Sequence, residues 1–267
     1  MSRAVTFSRA FLFAGRFLTR WPLPDPGMPA ANDLGPEMGR AALYYPLIGL
    51  LLGASLAAVA LLIGDAPPLA AAALLLILWV WSTGALHLDG LADSADAWVG
   101  GLGSRERTLE ILKDPRSGAM GVVALGLVLI AKFAGVAALL DQGVAPLLLL
   151  WLPALARGQL LALALTTPYA RADGMGAAMR SHLPRRAGWL VLLLTWLLAL
   201  VLAVNTFGVI GAALFLPVLL LFWRWRLSLM QRLGGYTGDG AGALVEMTEV
   251  TLLLGAALLG PLTAVPG

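Results

Sequence analysis

The sequence PLAAAALLLILWVWSTGALHLDGLADSADAW, Pro68 to Trp98, joins an apolar run to a group of acids. The run carries no charge up to Leu86. The next residues bring one of the chain's two histidines, His87, and three aspartates. A membrane-spanning helix requires about 20 mostly apolar residues. The stretch therefore predicts a spanning helix with carboxylates at its end.

The composition extends this interpretation to the whole chain. Of 267 residues, 60% are hydrophobic and 12% are charged, whereas a soluble domain carries about 25% charged residues. We expect an all-α fold, a polytopic membrane helix bundle that forms one integral membrane domain over residues 1–267. The chain has no cysteine, which excludes disulfides, Cys-ligated metals and a Cys nucleophile.

Hydropathy predicts about seven spans, and two of the segments between them are rich in acids. The segments 87–118 and 224–249 are predicted as an acidic loop and a glycine-rich acidic loop. The spans are 42–63, 68–86, 119–140, 145–165, 188–204, 207–223 and 246–264.

The basic residues give an orientation. If the seven spans are right, 16 of the 18 Lys and Arg side chains lie on one side of the membrane. The positive-inside rule makes that side cytoplasmic. Residues 1–24 are predicted to form an amphipathic helix on the membrane surface, because Arg9, Arg16 and Arg20 share one helical face. Its apolar residues are Phe7, Phe11, Phe13, Phe17 and Leu18.

Three aspartates at the lip of the second span suggest a metal site. On a helix, Asp89, Asp93 and Asp96 fall at positions i, i+4 and i+7, which is one face. Three carboxylates at such short separation repel each other unless they bind a cation or a proton. Mg²⁺ prefers oxygen ligands. The alternative is a solvated loop whose acids only favour the start of a helix.

A second acidic group precedes the last predicted span, where Asp239, Glu246 and Glu249 follow a glycine-rich turn. Two basic residues, Lys132 and Arg157, lie inside spans, where a charge requires a partner. They either form structural ion pairs with acids or hold substrate phosphates. Two basic residues, Lys113 and Arg116, precede the third span. They are either solvated charges before the helix or side chains that bind substrate phosphate.

Clustered carboxylates with Arg and Lys favour phosphoryl transfer assisted by Mg²⁺. One alternative is a CDP-alcohol-type lipid phosphotransferase, although Leu86 stands at the place of that signature's first aspartate. Another alternative is an ion-coupled membrane transporter, which would favour charges near the bilayer midplane.

Several blocks in order resemble the cobalamin synthase family, the adenosylcobinamide-GDP ribazoletransferases. The blocks are FLTRWPLP from Phe17, HLDGLADSADAW from His87, LEILKDPRSGAMG from Leu109, YARADGMG from Tyr169 and GGYTGDGAGALVEMTE from Gly234. The resemblance implies that a ribose hydroxyl of α-ribazole, or of its 5′-phosphate, attacks adenosylcobinamide-GDP. GMP leaves, and adenosylcobalamin or its 5′-phosphate forms.

On this resemblance we assign roles as hypotheses. Asp89, Asp93 and His87 are catalytic candidates. The Mg²⁺ ligands are Asp89, Asp93, Asp96, Asp239 and Glu246. The residues for substrate phosphate are Lys113, Arg116, Lys132 and Arg157. The resemblance also implies a multi-pass protein of the bacterial inner (cytoplasmic) membrane with its site facing the cytoplasm. Its partners are the two substrates and the lipid bilayer. A homo-oligomer is permitted, and no nucleic acid is expected.

Overall fold

The protein is a polytopic membrane helix bundle. A computed structural model describes residues 3–27, 29–171 and 175–263. This part of the chain forms twelve α-helices and two short 3₁₀ turns, and the one strand-like feature in it is an isolated bridge between Tyr169 and Tyr236. The helices are α1 (Arg3–Leu18), α2 (Ala31–Ala41), α3 (Tyr45–Ile63), α4 (Pro68–Thr83), α5 (Leu86–Gly100), α6 (Arg105–Ile111), α7 (Ala119–Asp141), α8 (Ala145–Thr166), α9 (Met175–Ser181), α10 (Arg185–Phe207), α11 (Phe215–Leu233) and α12 (Gly238–Thr263).

The prediction of about seven spans is confirmed. Six helical segments are long and apolar enough to cross a membrane, and the pair α4–α5 adds a seventh if it is one broken span. The six segments are Asp33–Ile63, Ala119–Asp141, Ala145–Thr166, Arg185–Phe207, Val209–Leu233 and Gly238–Gly260.

The prediction of two acidic loops is wrong, because both segments are mostly helical. Within 87–118, α5 and α6 take up most of the segment, and within 224–249 only residues 234–237 separate α11 from α12. Hydropathy ends a span where charge begins, but a helix needs only satisfied backbone hydrogen bonds, so charged residues form the new helices α5 and α6 and extend α11 and α12. The last span predicted at 246–264 accordingly begins at Gly238, and residue 264 lies outside the described residues.

The turn between α4 and α5 is sharp, with an angle of 86° between the two helices. It is made by two successive residues in the left-handed region, Gly84 at φ 60° and Ala85 at φ 58°. Glycine adopts this conformation freely, whereas alanine adopts it at a cost of roughly 1 kcal/mol. The bend redirects the chain so that the acids lie on a separate helix.

Helix α8 is the centre of the bundle, and most of its residues are buried. Helix α3 lies close against it because Gly49 and Gly53 have no side chain. A β-carbon at Gly49 would lie 2.7 Å from the Ala154 α-carbon, and one at Gly53 would lie 2.8 Å from the Leu150 carbonyl carbon. Small residues allow this close approach, which maximises van der Waals contact between membrane helices.

The N-terminal helix is present, but it ends at Leu18, so the helix predicted over residues 1–24 is too long and Arg20 lies outside it. Part of its apolar surface faces protein rather than lipid. Ala10, Ala14 and Leu18 are buried. Phe11 packs edge-on against Tyr44, and Phe17 stacks on Tyr45. Helix α1 therefore docks on the bundle. Residues 1 and 2 and the side chain of Phe7 lie outside the described residues, and contact with the membrane surface stays a prediction.

Candidate active site

Helices α5 and α12 meet almost backbone to backbone at two glycines. A β-carbon at Gly90 would lie 2.8 Å from the Asp239 carbonyl oxygen, and one at Gly242 would lie 3.3 Å from the His87 α-carbon. A larger side chain at Gly90 would push the helices apart, and one at Gly242 would require its neighbours to shift by a few tenths of an ångström. The contact thus brings the first turn of α12, with Asp239, beside the acidic face of α5.

The start of α12 is fixed by a capping residue. Thr237 is fully buried, and its hydroxyl oxygen accepts a hydrogen bond from the Gly240 N–H at 3.1 Å. Such a cap satisfies an N–H group that the helix itself leaves unpaired. The glycine-rich segment was predicted as a flexible turn, but Thr237 before the first helical residue was a signal for a helix start.

Three carboxylates form the open part of the site, which we call the acidic patch: Asp89, Asp93 and Asp239. Asp89 is exposed, and the other two are half-buried. The charges of Asp89, Asp239 and Asp96 all act on the Asp93 carboxylate, so the four acids are close in space. The Oδ2 atom of Asp239 is buried without a hydrogen-bond partner in the described chain. The patch therefore holds negative charge that the surrounding protein does not fully compensate.

The fourth acid, Asp96, has a structural task. Its two carboxylate oxygens accept hydrogen bonds from the N–H groups of Gly118 at 2.7 Å and Gly121 at 2.9 Å. The Asp96 side chain thus caps the start of α7, where a negative charge is favourable. Each oxygen accepts one hydrogen bond here, and the predicted role of Asp96 as a metal ligand stays a prediction.

The acid Glu246, predicted as a metal ligand, lies elsewhere. It pairs with Lys132 at 2.5 Å, and Lys132 and Arg157 both pair with Glu249. These four residues, which we call the buried charge cluster, are at most 3% exposed. Of the two alternatives for Lys132 and Arg157, the structure shows the ion pairs. Neither residue reaches the surface to hold a phosphate, and Glu246 is separated from the acidic patch.

His87 is also directed inward. It is 3% exposed, and neither ring nitrogen has a hydrogen-bond partner among the described residues. The charges of Arg157 and Lys132 act on it, which places it near the buried charge cluster. The prediction that His87 acts as a base in the acidic site does not fit this position, because a base must reach the proton that it accepts.

Lys113 and Arg116 lie on the exposed loop between α6 and α7. Gly118 at the end of this loop donates to Asp96, so the loop borders the α5 helix. The Arg116 guanidinium donates a bidentate pair of hydrogen bonds to the Asp114 carboxylate, from Nε to Oδ1 at 2.9 Å and from Nη2 to Oδ2 at 2.7 Å. These hydrogen bonds lower the pKa of Asp114 to about 2, so the pair stays ionised at neutral pH.

A residue that the sequence analysis did not single out lies next to the acidic patch. The Arg171 guanidinium Nη2 is 3.6 Å from Asp239 Oδ2, and its Nε and Nη2 atoms are buried without hydrogen-bond partners in the described chain. Arg171 therefore has donors available beside the acids. It belongs to the YARADGMG block, of which residues 172–174 lie outside the described residues.

The acidic patch suits Mg²⁺ better than a metal that requires a complete protein cage. Among the described residues, no three His, Asp or Glu side chains are placed to share one ion. Mg²⁺ is usually held by one or two carboxylates together with waters and substrate phosphates. The carboxylates of the patch, and the Asp239 Oδ2 atom that accepts no hydrogen bond from the described residues, fit that mode of binding.

The fold and the site define a multi-pass membrane protein with an acidic patch between two helices. Residues 10–257 match the family model described as cobalamin-5-phosphate synthase, and the chain belongs to that family. It is 54% identical over 250 residues to the adenosylcobinamide-GDP ribazoletransferase of Pseudomonas aeruginosa PAO1, covering 94% of this chain and 98% of the relative.

Two further relatives carry the same name. The protein of Pseudomonas fluorescens Pf0-1 is 50% identical over 91% of this chain and 96% of its own length. That of Pseudomonas syringae pv. syringae B728a is 48% identical over 93% and 99%. No solved structure matches the chain significantly.

Proposed function

We propose that this protein is an adenosylcobinamide-GDP ribazoletransferase, which completes the nucleotide loop of cobalamin. A ribose hydroxyl of α-ribazole, or of its 5′-phosphate, forms a new O–P bond to the phosphate nearest cobinamide. The P–O bond of the pyrophosphate breaks, GMP leaves, and the hydroxyl proton passes to a base. Family membership and about 50% identity over nearly the whole chain support the reaction.

One structural observation carries the assignment of the site: the glycine contact between α5 and α12 that brings Asp89, Asp93 and Asp239 together. We assign to one or two of these acids, together with water and substrate phosphate, the binding of Mg²⁺, which would neutralise charge on the pyrophosphate. Asp89 and Asp93 are accessible from solvent and are the groups placed to accept the proton, unlike His87, which is buried.

The cations assigned to the phosphates are then those beside the acidic patch and on the loop next to α5. Arg171 borders Asp239, and Lys113 and Arg116 lie on the loop beside α5. Arginine binds phosphate through parallel N–H donors, and Arg171 has two such donors without partners among the described residues. A cation on Asp239 would also free Arg171 from its present charge pair, so that metal and phosphate would occupy neighbouring positions.

We further place the protein in the bacterial cytoplasmic membrane with the acidic patch toward the cytoplasm. The positive-inside distribution of 16 basic residues supports this orientation. A soluble, nucleotide-linked and bulky substrate also requires an opening on an aqueous face. Cysteines introduced at Lys113 and at Gln142, which lie at opposite ends of α7, would test the topology by labelling intact cells. The Gln142 site should label, and the Lys113 site should not.

The decisive experiment is a product assay on the purified protein in lipid. Adenosylcobinamide-GDP, α-ribazole and Mg²⁺ should give GMP and a cobalamin product in equal amounts, and EDTA should stop the reaction. Supplying α-ribazole 5′-phosphate instead identifies the preferred acceptor. Folded protein that forms no product with either acceptor would contradict the proposal.

A further inference from the structure

A groove on the outside of the bundle combines an apolar wall with one cation, and none of its lining residues belongs to the acidic patch. It has a volume of about 590 Å³ and lies between α4, α7 and the bend that follows α4. Its lining residues are Arg20, Leu76, Ile77, Val80, Trp81, Gly84, Ala85 and Leu129. Ile77 and Trp81 are 59% and 76% exposed, so the wall is open to the membrane.

Arg20 is held at the end of this groove by the bend itself. Its backbone N–H donates to the Ser82 carbonyl at 2.7 Å. Its side chain crosses Gly84 so closely that a β-carbon there would lie 2.7 Å from the Arg20 Cγ atom. The guanidinium makes no hydrogen bond or salt bridge within the described residues. A fixed cation without a counter-ion therefore stands at one end of an apolar groove.

This combination matches one kind of molecule. We propose that the groove binds an anionic phospholipid, with an acyl chain along α4 and the phosphate on Arg20. The aliphatic side chains of α4 and Leu129 offer contact for hydrocarbon, and a guanidinium at the membrane boundary attracts anionic headgroups. Tryptophans such as Trp81 are enriched at the same interfacial depth.

Charge complementarity disfavours a second copy of the chain as the occupant. Two copies joined symmetrically through this groove would bring their Arg20 side chains toward each other, and the lining offers no carboxylate to separate them. A lipid with a net negative headgroup instead supplies the counter-ion that Arg20 lacks.

Binding at this position would brace the bend that leads into α5. Gly84 and Ala85 line the groove, and the acidic face of α5 begins four residues after Ala85. The lipid proposal does not depend on the proposed reaction, because binding is measured without either substrate.

The test is native mass spectrometry of the purified full chain, titrated with phosphatidylglycerol or phosphatidylcholine of identical acyl chains. The wild type should retain one phosphatidylglycerol with roughly fivefold preference over phosphatidylcholine, as expected for a single cation at a membrane surface. Arg20→Gln should abolish the preference, and Arg20→Lys should keep most of it. Arg186→Gln, which removes an exposed arginine on the same predicted side, should behave as the wild type.

The location is tested with a photoreactive phosphatidylglycerol followed by peptide mapping. Crosslinks should concentrate on residues 76–85 and near Leu129, and Leu76→Trp, which fills the groove, should remove them. The proposal is overturned if Arg20→Gln keeps the wild-type preference, or if the crosslinks map to another surface. It is also overturned if lipid-free protein is a dimer that Leu76→Trp dissociates, because the occupant would then be a second copy.

Discussion

The acidic patch and the buried charge cluster use the same residue types on the same helix, with opposite outcomes. Asp239 and Glu246 are seven residues apart on α12, yet Asp239 faces the opening beside α5 and Glu246 is 3% exposed. In the cluster, two cations balance two carboxylates. The patch has three carboxylates and one nearby arginine. Uncompensated charge, rather than charge as such, distinguishes a site for ligands from a structural contact.

The largest effect expected from this comparison is on turnover. Asp93→Asn keeps the shape of the side chain but removes a charge and a proton acceptor. The rate should fall by about 10²–10⁴-fold, the usual contribution of general acid–base catalysis, while thermal stability stays near that of the wild type. The product assay measures the rate. Asp141→Asn, at the exposed end of α7, is the control, and equal rates for the two variants would remove Asp93 from the site.

In the buried charge cluster the same kind of change should affect stability first. Glu249→Gln leaves Lys132 and Arg157 without their shared partner, and breaking a buried pair costs about 3–5 kcal/mol. Thermal unfolding in detergent should show a large decrease in midpoint. Glu110→Gln is a matched control, because its contact with Arg107 is exposed and should matter little. A Glu249→Gln protein as stable as the control would show that the cluster is not structural.

The glycine contact between α5 and α12 can be tested directly. Gly90→Ala should push α5 from α12, because the new methyl group would overlap the Asp239 backbone. Overpacking of this kind costs about 1–3 kcal/mol, and we expect turnover to fall with it. Gly126→Ala, on α7 with no atom within 4 Å of the new methyl group, should be neutral. Wild-type activity in Gly90→Ala would mean that the close approach is unnecessary.

A smaller effect is expected for Arg171, the cation that pairs with Asp239. Arg171→Gln should raise the KM for adenosylcobinamide-GDP about tenfold, the loss expected for one hydrogen bond to a charged group. The affinity for Mn²⁺, measured by electron paramagnetic resonance, should rise or stay the same, because a competing cation has been removed from Asp239. A parallel loss of Mn²⁺ affinity would identify Arg171 as a structural partner instead.

The smallest effect concerns the cap of α12. Thr237→Ala should lower the free energy of unfolding by about 1 kcal/mol through the lost contact with the Gly240 N–H. Thr237→Ser keeps the hydroxyl and should recover most of the difference in a thermal melt. A cap that contributes nothing would leave all three proteins equal.

The helical membrane fold and most span ends could be predicted, because hydropathy measures the property that places a helix in lipid. The bend at Gly84 and Ala85 could not, since alanine gives no sign of a left-handed conformation. The i, i+4, i+7 spacing predicted that Asp89 and Asp93 share a face. Spacing does not show how deeply a side chain is buried, however. The burial of Glu246 and His87 depends on the helices that surround them, which the sequence does not reveal.

The buried charge cluster also has a consequence for biosynthesis. A charged residue at the centre of a spanning helix costs about 2.5–3.5 kcal/mol on insertion scales. Lys132 and Arg157 enter the membrane on α7 and α8, whereas their shared partner Glu249 follows 117 and 92 residues later. Until α12 has been synthesised, the two cations therefore lack the carboxylate that they share. When α12 packs into the bundle, Glu249 reaches both cations and Asp239 comes to lie beside α5.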